Sequence, residues 1–259
     1  MISLPPDLSV LTDGYACAAN NVGCTPAKVY RYHKGDNAFY LKIARADDEM
    51  RRERDLYNWL NGRLPVPEVK YWREQDGLAY LLTTEVPGRM TCDSPEDRVA
   101  APVENTVRLL ADGLLMLQAV DIADCPFDNT LDNKLAGAMR NIENGAVDTA
   151  DWNDNNTFES PAALHNWLTA NRPPEDLCFT HGDYCLPNVF IDGAAVTGFV
   201  DFGRGGIADK WQDIALCLRS LRYNLGDIED MYIDLLFSRL GIAPDWEKIN
   251  YYILLDELF

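Results

Sequence analysis

Residues 179–206 read FTHGDYCLPNVFIDGAAVTGFVDFGRGG, and in them three oxygen-bearing side chains, Asp183, Asn188 and Asp201, stand five and thirteen residues apart. NVFID and VTGFVD are short β-rich runs joined through Gly193 and two alanines, which reads as a hairpin. With its turn centred on Ala194 and Ala195, Asn188 and Asp201 lie opposite each other at the open end. A register error of a residue or two leaves them neighbours.

Working outward, the chain has 259 residues, enough for one large domain or two modest ones that share a cleft. A composition 47% hydrophobic and 25% charged is that of a soluble globular protein. Lys and Arg number 23 against 41 Asp and Glu, a formal charge of −18, which argues against a nucleic-acid partner and for a cationic ligand. The start, MISLPPDLSVLTDG, has no basic region followed by an apolar core, and apolar stretches such as LLMLQAV fall far short of the roughly 20 residues of a membrane span. A soluble, cytoplasmic protein without a membrane partner is expected. Seven cysteines without paired spacing indicate neither a zinc site nor a disulfide framework; Cys24, Cys178 and Cys217 have the apolar surroundings of reduced thiols.

The first third alternates strand-like runs with tight turns: AKVYRYH, KGDN and AFYLKIA, then EVKYWRE, QDG and LAYLLTTE. Between the hairpins, ADDEMRRERDLYNWLNG has the acidic start and glycine end of a helix, with Met50, Leu56 and Leu60 among its apolar positions. EVPGRMTCD breaks the pattern and marks the boundary between lobes. Beyond it a helix is expected with Ser94 as cap, its core face carrying Val103, Val107, Leu110, Leu114 and Leu117. Further helices are expected at 131–144, 160–171, 209–225, 229–240 and 246–258. The fold class is therefore α+β: a small N-terminal antiparallel sheet lobe with one helix, residues 1–87, and a larger, mostly helical C-terminal lobe, residues 88–259.

Moving a phosphoryl group to a hydroxyl needs one group to orient the hydroxyl and accept its proton, and oxygens to hold Mg²⁺ on the nucleotide phosphates. Asp183 fits the first role; Asn188 and Asp201 fit the second. The spacing resembles the protein kinase signature, with Asp201, Phe202 and Gly203 as its D-F-G. Lys42 in FYLKIA and Glu53 in the following helix supply the strand lysine and helix glutamate that position nucleotide phosphates. A G-x-G-x-x-G over the first hairpin and an A-P-E are both missing, which excludes a protein substrate.

The chain resembles the aminoglycoside phosphotransferase family, with a bilobal protein-kinase-like fold, and within it the 3′-phosphotransferase group. The resemblance rests on TPAKVY, FYLK, RERDLYNWL, LPVPEV, HGDYCLPNVF, GFVDFGRGGIADKWQDIALCLRSL and DWEKINYYILLDELF. It implies ATP, or GTP in its place, and Mg²⁺ as cofactors, with Tyr40 stacking on adenine and Thr25 and Ala27 over the phosphates. Glu85 and Val86 would offer backbone groups to the adenine edge. Asp183 would be the catalytic base, Arg204 would lie near the transferring phosphate, and Asn188 and Asp201 would hold magnesium. Aminoglycosides are polycations, so Asp151, Asp154, Asp256, Glu257 and the carboxylate of Phe259 become candidate substrate groups. Arg219 is either a substrate contact or an ion-pair partner for the chain end. The last four residues, Asp256 to Phe259, are expected to add little to the core. Leu186, Tyr223 and Asn224 stand where the resemblance expects acidic residues, implying a narrower or shifted substrate range. Cys17 without a partner at Thr149 implies a monomer or weak homodimer. The alternatives are a kinase of another small hydroxylated metabolite, and a nucleotide-binding module without catalysis.

Overall fold

The computed structural model describes residues 4–20, 27–92, 102–150, 152, 157–226 and 230–259. These form two compact units, Met1–Met90 with Pro187–Arg204, and Thr91–Leu186 with Gly205–Phe259.

The first unit opens with α1 (Pro6–Leu11) and a strand that the sequence pattern did not announce, β1 (Ala16–Asn20). The two expected hairpins follow as β2 (Lys28–Lys34) with β3 (Asn37–Arg45), and β4 (Val69–Gln75) with β5 (Leu78–Thr84). Together they make a five-stranded antiparallel sheet ordered β1-β2-β3-β5-β4. Asp76 and Gly77, at φ 53° and 77°, form the two-residue turn of the second hairpin, the left-handed pair that an Asp-Gly sequence favours. Alternation along β3 buries Leu41 and Ile43 against Leu8, Tyr32, Tyr80 and Leu82, and turns Tyr40 and Lys42 to the other face.

Helix α2 (Asp48–Leu60) is capped by Asp47, whose side chain accepts the Met50 N–H at 3.0 Å. Its buried stripe is Met50, Glu53, Leu56, Tyr57 and Leu60, the spacing of one helix face. The unit is completed by β6 (Arg89–Met90), β8 (Val189–Asp192) and β9 (Ala195–Phe199), a three-stranded sheet ordered β6-β8-β9. Asp192 pairs with Ala195, so the turn lies over Gly193 and Ala194, one residue earlier than expected, because Gly193 takes the left-handed conformation at φ 58°. The open end survives that shift, and the Val200 N–H donates to the Asn188 carbonyl at 3.1 Å.

The second unit holds α3 (Val103–Gln118), α4 (Leu131–Glu143), α5 (Pro161–Ala170), α6 (Lys210–Leu225), α7 (Asp230–Leu240) and α8 (Trp246–Asp256). A short antiparallel pair, β7 (Leu177–Thr180) with β10 (Gly206–Asp209), brackets the decisive stretch and was not foreseen. The first long helix starts at Val103 because Pro102, at ψ 130°, forms its entry; Ser94, the expected cap, lies outside the described residues. The last helix ends at Asp256 rather than 258. Among the described residues no helix is long and apolar enough to cross a membrane.

Candidate active site

In the first unit, an apolar cleft open to solvent lies over the face of β3 and β5 opposite Leu41 and Leu82. The strand register explains its lining: Tyr40 stands opposite Thr83 and Lys42 opposite Leu81 and Val29, and all five border it. Val86, Met90 and Phe190 add apolar surface, while Lys42, Glu53, Tyr57 and Asp201 give one part of it charge.

The Lys42 ammonium donates to Glu53 Oε2 at 2.9 Å and to Asp201 Oδ1 at 2.6 Å. Burial disfavours that ammonium, yet the Glu53 and Asp201 carboxylates outweigh it and hold Lys42 above the ordinary lysine range. Glu53 is 3% exposed; its own burial raises its carboxyl, against the lowering by Lys42. Asp201 adopts φ 63°, left-handed backbone that is uncommon outside glycine. Asn188 is buried at the other strand end of the β8–β9 hairpin. Among the expected site residues, then, the structure brings Tyr40, Lys42, Glu53, Val86 and Asp201 onto one cavity.

Glu85 follows β5, and its N–H donates to the Ala38 carbonyl at 3.3 Å while its side chain accepts from Arg31 Nε at 2.7 Å. Among the described residues the Val86 N–H has no acceptor. Arg204 sits in the turn Phe202–Arg204, with Nε 3.8 Å from Glu49 Oε1 on α2. Ala27 is half-buried just before β2; Thr25 lies outside the described residues.

In the second unit the loop after β7 carries Asp183. Gly182, at φ 82°, bends it, and one carboxylate on α6 anchors it: Asp213 accepts the His181 N–H at 2.6 Å and the Gly182 N–H at 2.9 Å. The Asp183 N–H donates to His181 Nδ1 at 3.3 Å, the Tyr184 hydroxyl to the Leu110 carbonyl at 2.7 Å, and the Leu186 N–H to Ser220 Oγ at 3.0 Å. Burial pushes the Asp213 carboxyl up, against the lowering from His181 and the two N–H donors. Asp213 and Ser220 escaped the sequence reading. The available signal was a carboxylate heading an unbroken apolar run in a helix, with Ile214, Ala215, Leu216, Cys217 and Leu218 all buried behind it.

The chain end docks against the second unit. Arg219 pairs with Asp256 at 2.5 Å and lies 4.0 Å from Glu257, Lys134 sits 4.6 Å from the centroid of the Phe259 ring, and Asn141 donates to the Leu258 carbonyl at 2.9 Å. Leu258 is fully buried, which corrects the expectation that the last four residues contribute little packing. Asp151 and Asp154 lie outside the described residues. Leu186 is buried, Tyr223 is 85% exposed, and Asn224 accepts from the Cys92 thiol at 3.1 Å.

Residues 18–252 match the family described as "APH: Phosphotransferase enzyme family". The chain is 40% identical to an aminoglycoside 3′-phosphotransferase of Enterococcus faecalis, over 99% of this chain and 98% of the other. Its fold is similar to the crystal structure of an aminoglycoside-3′-phosphotransferase of type VIII, with a TM-score of 0.81 and 32% identity over 97% of each chain. A further likeness is to the aminoglycoside phosphotransferase APH(3″)-Id of Streptomyces rimosus in complex with ADP and streptomycin, with a TM-score of 0.77 and 28% identity over 100% of this chain and 99% of that one.

Proposed function

The chain belongs to the phosphotransferase enzyme family, and from that premise we propose that it transfers the γ-phosphoryl group of ATP to the 3′-hydroxyl of kanamycin- and neomycin-type aminoglycosides, conferring resistance to them. The observation that carries the reading is the Lys42 ammonium, held between Glu53 and Asp201 beside an apolar cavity. Phosphoryl transfer through a loose transition state asks mainly for positioning and charge stabilisation, and a half-buried, charged lysine meets that need. Residues 1–87 make the nucleotide-binding lobe, to which Pro187–Arg204 contribute within the same compact unit, and the remainder of 88–259 makes the lobe for catalysis and the aminoglycoside.

In the nucleotide cavity, Tyr40 stacks on adenine while the Glu85 carbonyl and the acceptor-less Val86 N–H meet its edge. Thr25 and Ala27 cover the phosphates, and Lys42, oriented by Glu53, engages them. Asp183 orients the 3′-hydroxyl and accepts its proton, and Arg204 lies near the transferring phosphate. Asp201 and Asn188 present a carboxylate and an amide oxygen, hard donors that fit Mg²⁺, from the two strand ends of one hairpin. Bound there, the ion would neutralise charge on the phosphate oxygens. Asp151, Asp154, Asp256, Glu257 and the Phe259 carboxylate hold the drug's ammonium groups, and Arg219, paired with Asp256, organises the chain end.

The test is nucleoside diphosphate release, ADP from ATP or GDP from GTP, with a panel of kanamycin, neomycin, tobramycin and simple hydroxylated metabolites. Kanamycin and neomycin should turn over, whereas tobramycin, which lacks the 3′-hydroxyl, should not. Rapid tobramycin phosphorylation would refute the regiochemistry, and turnover of the metabolites alone would refute the substrate class.

A further inference from the structure

We infer that Tyr57 is a positioning residue for phosphotransfer: its hydroxyl closes a ring of hydrogen bonds that locks the backbone of Asp201 and the carboxylate of Glu53 to each other. The inference rests on the phosphotransfer reading above. Tyr57 follows Glu53 by one helical turn on α2, so both project from the buried face. Its hydroxyl donates to Glu53 Oε1 at 3.0 Å and accepts the Asp201 N–H at 2.9 Å. Glu53 Oε2 and Asp201 Oδ1 both accept from Lys42, at 2.9 and 2.6 Å, which returns the circuit to its start. A hydroxyl has one proton to give and lone pairs to receive with, so the single Tyr57 oxygen serves both neighbours without conflict.

The location of that oxygen is decisive because Asp201 is the residue at φ 63°. A non-glycine residue keeps left-handed backbone where its surroundings hold it there. The Asp201 N–H is the handle, and Tyr57 grips it. The grip is stiff: the phenol is 3% exposed, and its ring meets Phe202 edge-on at 6.1 Å and 83°, with Phe202 in turn edge-on to Phe199 at 6.4 Å. Packing therefore fixes where the hydroxyl points. Phenylalanine would keep every ring contact and remove only the oxygen, leaving Glu53 Oε1 and the Asp201 N–H both short of this partner.

Tyr57→Phe in the full chain is the test, read as turnover with kanamycin, as ADP affinity by calorimetry with Mg²⁺ and with EDTA, and as amide hydrogen exchange at Asp201. Turnover should fall about tenfold, the lower end for a lost hydrogen bond to a charged group. The tightening of ADP by Mg²⁺ should shrink about threefold or more while affinity in EDTA stays within about twofold, because Tyr57 acts through Asp201. The Asp201 amide should exchange faster than in the parent protein. A merely structural tyrosine would lower the melting temperature and leave the Mg²⁺-to-EDTA ratio alone; unchanged turnover and an unchanged ratio overturn the inference whatever the melting curve does. If the parent protein phosphorylates nothing, the phosphotransfer reading fails separately, and Asp201 exchange still decides the ring. Should the variant not fold, an Asp201 amide in the parent that exchanges like an unstructured peptide overturns the inference, and a protected one upholds it.

Discussion

Gly198→Ala should injure nucleotide binding from a position whose own residue does not border the cavity. Gly198 lies in β9, and a methyl group there would sit 2.4 Å from Val86 Cγ1 and 3.0 Å from the Pro65 carbonyl oxygen. Carbon atoms in contact ordinarily keep about 3.5–4.0 Å, so the first distance is short by about 1 Å. The Pro65 carbonyl cannot retreat freely, because it accepts the Phe199 N–H at 3.0 Å. Val86 must yield, and its side chain borders the cavity beside Tyr40 and Leu81. Overpacking of this kind costs about 1–3 kcal/mol. For a chain of this size that corresponds to a melting temperature lower by about 3–9 °C. Displacing Val86 should also raise the KM for ATP, by about threefold to tenfold if one contact of roughly 1 kcal/mol is spoiled. Thermal shift and steady-state kinetics read both effects. The companion Val86→Ala removes the clashing carbon, so the double variant should recover most of the melting loss of Gly198→Ala. A single variant that melts with the parent and keeps its ATP KM, or a Val86→Ala that brings no relief, would refute the reasoning.

Asp213→Asn leaves one of the His181 and Gly182 N–H groups facing an NH₂ donor, since the carboxylate uses one oxygen for each. Turnover should fall by about tenfold to a hundredfold while the ATP KM holds, as the cavity residues all belong to the first unit; turnover within about twofold of the parent would refute it. Glu257→Gln should raise the aminoglycoside KM by about threefold to tenfold, a charge-assisted contact discounted because the side chain is 42% exposed, with melting temperature and ATP KM unchanged. An unchanged aminoglycoside KM would remove Glu257 from the substrate set.

Much of the first unit was legible because its signals are local. Period-two alternation in FYLKI puts Lys42 on the face opposite Leu41, and the spacing of Met50, Glu53 and Leu56 puts the glutamate on the buried stripe of α2. The pairing of Lys42 with Glu53 itself comes from the likeness to the kinase strand lysine and helix glutamate, and the two periodicities agree with it. What stayed hidden involves pairing across the chain. β6 has two residues and gains meaning only from Phe190 and Ile191, a hundred positions on, and β7 pairs with β10 from the far side of the hairpin. Short strands with distant partners leave no pattern of their own. Tyr57 was hidden differently: on the α2 stripe it reads as one more core aromatic, and its hydroxyl has a task only because the Asp201 backbone arrives beside it.

The chain end shows the same division between pattern and partner. YYILLDELF reads as an apolar helix face that docks the end against the body, followed by an acidic tip whose four residues are expected to add little to the core. In the structure the helix stops at Asp256, and the next turn folds Leu258 into the core while Asn141 on α4 takes its carbonyl. Removing Asp256 to Phe259 would therefore delete a buried leucine, at a cost of about 2–5 kcal/mol by analogy with large-to-small core changes, along with the Arg219 ion pair. Such a truncation confounds loss of substrate contacts with loss of packing. Changing one exposed carboxylate at a time keeps Leu258 in place, so any rise in the aminoglycoside KM then reports on charge alone.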